Sequence, residues 1–127
     1  MRLHHVQVAC APGGEDAARR FYVDGLGLTE VAKPEALRDR GGAWFRQYDG
    51  QEIVAELHVG VEDPFRPARK AHPAFIVIDQ RRLADLGRRL VGLGFEVDWS
   101  ERDTFPGHER FHTVDGSGNR VELLAPV

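Results

Sequence analysis

Gly25-Leu26-Gly27-Leu28 returns as Gly92-Leu93-Gly94-Phe95, 67 residues further along the chain. His5 and His72 share that spacing, and Glu30-Val31 meets Glu96-Val97 one residue out of step. At a spacing of 66, Phe45 meets Phe111, Asp49-Gly50 meets Asp115-Gly116, and Glu56-Leu57 meets Glu122-Leu123. Matches that keep their order through both halves, with a single one-residue slip, indicate a duplicated unit. The copies span about residues 1–60 and 72–127 of a single domain of 127 residues. A linker at about 61–71, with Pro64 and Pro67, joins them.

Each copy reads as strand, helix and three further strands, an α+β pattern of two tandem βαβββ modules related by a pseudo-twofold. In the first, residues 3–9 alternate as a strand does, and Pro12-Gly13-Gly14 ends it. Glu15 and Asp16 suit the first turn of a helix, Ala17, Ala18, Phe21 and Tyr22 form its apolar face, and Gly25 closes it. Strands are expected at 28–32, 43–48 and 53–59. In the second copy the strand is 74–78, and the helix 81–91 carries Leu83, Leu86, Leu90 and Val91 on one face. Strands at 95–99, 110–115 and 120–124 follow. Asp49-Gly50 and Asp115-Gly116 read as matching turns between the last two strands of each copy.

The composition is that of an ordinary globular domain, 42% hydrophobic and 29% charged, with a formal net charge of -3. No block of basic residues exists, so nucleic acid is not an expected partner, and no apolar run is long enough to span a membrane. One cysteine, Cys10, cannot form an internal disulfide and is expected as a small core residue. With the opening MRLHHVQVAC lacking a long apolar core, this points to a cytoplasmic protein.

Strand alternation then sorts the two faces of each sheet. Phe45, Leu57, Phe111, Val121 and Leu123 share the apolar parity that packs under helices. The opposite face is polar. It holds His5, Gln7, Trp44, Arg46, Tyr48, Glu56 and His58 in the first copy, and His72, Arg110, His112, Arg120 and Glu122 in the second. The pseudo-twofold would gather two imidazoles and two carboxylates, a donor set suited to Zn, Ni, Co, Mn or Fe(II). His4 has the other parity and is read as a surface or helix-packing residue. The stretch Phe65-Arg66-Pro67-Ala68-Arg69-Lys70 is basic and reads mainly as a solvated linker.

LHHVQVA, FYVDGLGL, AELHVG, AHPAFIV and DGSGNRVELL stand in an order that resembles the vicinal oxygen chelate superfamily. That superfamily includes glyoxalase I, bleomycin-resistance proteins and extradiol dioxygenases. The resemblance covers the whole chain and implies an open, curled sheet around a central cleft with one divalent metal ion at its base. It implies His5, Glu56, His72 and Glu122 as ligands, with His58 the alternative to Glu56. Glu122, or failing it Glu56, would be the catalytic carboxylate. Gln7, Trp44, Arg46, Tyr48, His112 and Arg120 would line the substrate.

The implied activity is a metal-dependent lyase or isomerase. It would act on a small polar substrate with vicinal oxygens through an enediolate-type intermediate. Two other activities fit the resemblance: ligand sequestration of the bleomycin-resistance type, and extradiol ring cleavage. A homodimer is the expected assembly.

Overall fold

The computed structural model describes every residue from 1 to 127, in two compact units, Met1–Pro67 and Ala68–Val127. The division falls inside the expected linker. The first unit runs β1 (Val6–Cys10), α1 (Glu15–Arg19), β2 (Thr29–Val31), β3 (Ala43–Asp49) and β4 (Glu52–Val61). The second runs β5 (Ala74–Ile76), α2 (Gln80–Gly92), β6 (Val97–Asp98), β7 (His108–Val114) and β8 (Arg120–Pro126). Their sheets have one topology, β1-β4-β3-β2 and β5-β8-β7-β6. In each, the first strand lies parallel to the fourth and the other neighbours are antiparallel. The fold is α+β, built from two βαβββ modules.

Helical periodicity is most regular in α2. The Asp79 carboxylate caps it by accepting from the Arg82 backbone N–H at 2.7 Å. Leu83, Leu86 and Leu90 are buried along one stripe. Val91, expected on that stripe, is exposed, because it lies a further 100° round from Leu90. Gly87 lets Trp99 approach the helix: a Cβ there would stand 3.1 Å from Trp99 Cζ2. In the first unit the regular helix is short, and Arg20–Gly25 continues it with wider π-helical turns, Leu26 N–H donating to the Phe21 carbonyl oxygen at 2.9 Å. Those turns accommodate the adjacent side chains Phe21 and Tyr22, both fully buried.

Both cores sit where alternation places them. Phe45, Leu57, Phe111, Val121 and Leu123 are all buried, with the Phe45 ring 5.3 Å from Tyr22 and the Phe111 ring 4.9 Å from Trp99. Cys10 is buried and reduced. Strand starts differ from the periodicity. β1 begins at Val6, where pairing with Leu57 begins, so Leu3, His4 and His5 precede it and are exposed.

Register divides one correspondence between the copies. Gln7 lies opposite His58 in the first unit, and Ala74 lies opposite Glu122 in the second. His5 and His72 each stand two residues before those positions. Across the hairpins, His58 faces Trp44 and Glu122 faces His112. Measured from the first strands Glu122 corresponds to His58, but across the hairpins it corresponds to Glu56, because Arg46–Glu56 and His112–Glu122 keep the spacing of 66. The turns differ without moving the paired strands. Asp49 pairs with Glu52 across a tight turn, while Val114 pairs with Arg120 across a longer loop at 115–119. The irregularity between Gln47 and Tyr48 absorbs that difference, so the paired strands keep one spacing in both hairpins.

Candidate metal centre

In the second unit, His72, His112 and Glu122 converge, each offering a ligand atom within 4.8 Å of the others. Glu122 reaches this point because β8 places Val121 and Leu123 in the core and turns the carboxylate to the opposite face. His112 sits directly across the hairpin, with Nε2 3.8 Å from Glu122 Oε2. His72 enters from the segment before β5, and its Nε2 is 2.9 Å from the same oxygen. Arg110 donates from Nη1 to Glu122 Oε1 at 3.0 Å, so each carboxylate oxygen has a different neighbour.

His72 Nδ1 lies 2.8 Å from the Lys70 carbonyl oxygen and can only donate to it. A neutral ring held this way turns the lone pair of Nε2 toward a carboxylate oxygen. Two lone pairs at that distance need a cation, a proton in the metal-free chain or a metal ion with slight separation of the pair. Histidine ligands are commonly oriented in this manner, by a carbonyl on the far ring nitrogen. Two imidazoles and one carboxylate, with no thiolate, fit a divalent transition ion.

Burial pushes the Glu122 carboxyl up, but the bonds from His72 and Arg110 and the Arg110 charge outweigh it and hold it below its ordinary value. Burial pushes His112 down, and the Arg120 guanidinium adds to that. The carboxylate is thus ionised and the His112 imidazole neutral near pH 7, the states in which both ligate metals. Arg120 is half-buried, and no side chain bonds its guanidinium.

The first unit is arranged differently. Glu56 is 8% exposed, and each of its oxygens already accepts a bond: Arg46 Nε at 2.9 Å and His58 Nε2 at 2.8 Å. Arg46 also bonds Tyr48. The His58 ring is stacked between Trp44 at 3.8 Å and His5 at 4.0 Å. Burial holds His58 below the usual histidine value despite Glu56 beside it. His4 is exposed, its Nδ1 2.9 Å from that of His5. Gln7 is exposed and lies over Gly60.

Comparison with known proteins settles the family. The profile of the Glyoxalase/Bleomycin resistance protein/Dioxygenase superfamily matches residues 2–123. The chain belongs to this superfamily. Among solved structures, a glyoxalase family protein from Bacillus anthracis is 39% identical over the whole of both chains, with a TM-score of 0.82. Two others share the glyoxalase fold at lower identity. The fosfomycin resistance protein FosX from Listeria monocytogenes is 16% identical, with 100% of this chain and 94% of that one covered and a TM-score of 0.73. Lactoylglutathione lyase from Agrobacterium tumefaciens is 20% identical, with 98% and 94% covered and a TM-score of 0.69. No curated protein matches.

Against the sequence expectations for this glyoxalase-superfamily chain, His72 and Glu122 stand together, with His112 among them as a potential ligand where a substrate contact was expected. His5 and His58 are in contact through their rings. Glu56 is engaged by Arg46 and His58. Arg110 was placed on the polar face but given no role. Its signal was geometric: it lies diagonally across the β7–β8 hairpin from Glu122, within reach of a long side chain.

Proposed function

We propose that the chain is a metal-dependent lyase or isomerase of the glyoxalase type, acting on a small polar or anionic substrate with two adjacent oxygens. The observation that carries this is the His72–Glu122 pair, aligned by the Lys70 carbonyl on one side and Arg110 on the other. His72, His112 and Glu122 would hold the ion in the second unit. His5, with Glu56 or His58, is the first unit's own candidate ligand set. A divalent ion bound there supplies Lewis-acid stabilisation of negative charge developing on vicinal oxygens.

The remaining roles fall to side chains. Glu122, kept ionised, is the base: Oε2, released from ligation, takes a proton from a substrate carbon and returns it to the neighbouring carbon. His112, neutral and buried, excludes water beside that oxygen. Arg120, half-buried and unbonded, offers its guanidinium to a substrate carboxylate or phosphate. Trp44, Arg46, Tyr48 and Gln7 are the side chains that the first unit itself offers to a substrate. The chain is proposed to act in the cytoplasm as a homodimer; no helix is long and apolar enough to cross a membrane.

A second reading has one observation in its favour. Two histidines and one carboxylate are also the donor type of non-haem Fe(II) oxygenases, which suits extradiol cleavage. One experiment separates the two. Metal-loaded and metal-free protein are incubated in D2O with a panel of small vicinal-oxygen compounds, with deuterium at carbon followed by NMR and dioxygen by electrode. Metal-dependent deuterium incorporation without oxygen uptake supports proton transfer. Oxygen uptake transfers the assignment to the dioxygenase reading, and sequestration predicts binding with neither signal.

A further inference from the structure

Arg110 makes more polar contacts than its place on a strand requires. Besides Nη1 to Glu122 Oε1, its Nε donates to the Glu101 carbonyl oxygen at 3.2 Å and its Nη2 to Thr104 Oγ1 at 2.7 Å. Thr104 Oγ1 donates onward to Glu101 Oε2 at 2.7 Å. The Arg110 backbone N–H donates to the Arg102 carbonyl oxygen at 3.1 Å, and the guanidinium carbon stands 5.6 Å from the centre of the Phe105 ring. A planar fork of fixed donor directions thus links the segment 101–105 to one oxygen of Glu122.

That single contact decides how Glu122 presents itself. The terminal torsion of a glutamate is soft, so a carboxylate held at one end only can roll and offer both oxygens. Here Oε1 is occupied by Arg110, and only Oε2 faces His72 and His112. The loop donors and acceptors fix the guanidinium, and the guanidinium fixes the roll.

We propose that Arg110 is a positioning residue that restricts Glu122 to ligation through Oε2 and couples that geometry to the segment 101–105. This rests on the metal reading above. A contact across 101–105, by substrate or by another protein surface, would then be felt at the ligand without touching it. Thr104 is the handle that shows this, because it is exposed and reaches Glu122 only through Arg110.

The test uses the metal-free chain titrated with Zn, Co and Mn by calorimetry, for wild type, R110A, T104V and H72A. The infrared spectrum of the Zn-loaded proteins is read in parallel. One-oxygen carboxylate ligation separates the two stretching bands more widely than two-oxygen ligation. Wild type should show the wide separation. R110A should bind roughly 10–100-fold more weakly, as loss of an orienting partner does, with the separation narrowed. T104V should shift both readouts the same way by a smaller amount while its metal-free unfolding midpoint stays that of wild type. If wild type binds but R110A keeps its affinity and band separation, the inference is wrong and the metal reading stands. If T104V alone is silent, the coupling to the loop is wrong. If wild type binds no better than H72A, the metal reading fails and takes this inference with it.

Discussion

Replacing Glu122 by glutamine isolates the charge of the carboxylate with its shape preserved. The glutamine oxygen can still accept from Arg110, and its amide can donate to His72 Nε2, whose far nitrogen is given to the Lys70 carbonyl. The bond to His72 becomes a neutral one, while the bond from Arg110 loses the carboxylate charge but keeps that of the guanidinium. Bonds to charged groups contribute about 1.5–3 kcal/mol and neutral ones about 0.5–1.5 kcal/mol, so the metal-free variant should be about 1 kcal/mol less stable at pH 7. Because the native Glu122 carboxyl is held below its ordinary value, its contribution is present above the unfolded carboxyl range and fades as pH falls through the native value. The gap should therefore close in acid. Urea unfolding followed by Trp fluorescence at pH 7 and at descending pH measures it. Equal stabilities at pH 7, or a gap that widens in acid, would refute the described bonding of Glu122.

Three other outcomes are expected. Phe45→Ala and Phe111→Ala each remove a fully buried ring and should cost about 3–5 kcal/mol in urea unfolding; near-zero costs would mean the strand faces are inverted. His58 and His112 are held below the ordinary histidine value, chiefly by burial, so the unfolded chain binds their protons first. Metal-free stability should begin to fall as pH drops below about 6.5, and H112Q should flatten that limb, as thermal melts across pH will show. Arg120→Ala should raise KM for an anionic substrate at least 10-fold with kcat little changed, since its guanidinium is placed to bind and not to react; steady-state kinetics with charged and neutral substrate analogues separates the two effects.

The fold was legible because duplication and two-residue alternation are both written in residue types. Phe45, Leu57, Phe111 and Leu123 could be assigned to the core before any coordinate was known, and all four are buried. The second unit's site was half legible: His72 and Glu122 were singled out by matching spacing and do meet. What spacing could not carry was register. β1 meets β4 three residues further along than β5 meets β8, so the first strands break the spacing that the hairpins keep, and Glu56 and His58 each match Glu122 by one of the two registers. Nor could alternation tell Arg110 from Arg120. Both share a face with Glu122, but only the diagonal reach across β7–β8, together with Thr104 and the Glu101 carbonyl, commits Arg110 to the carboxylate.

The central claim is that His72 and Glu122 hold a divalent ion. Crystals of the protein loaded with Zn or Co, with anomalous diffraction recorded at the metal edge, test it directly. The account predicts an anomalous peak about 2.0–2.2 Å from His72 Nε2 and Glu122 Oε2, with His72 Nδ1 still bonded to the Lys70 carbonyl oxygen. A peak elsewhere on a saturated chain, or an ion that leaves His72 and Glu122 in their direct 2.9 Å contact, would contradict it.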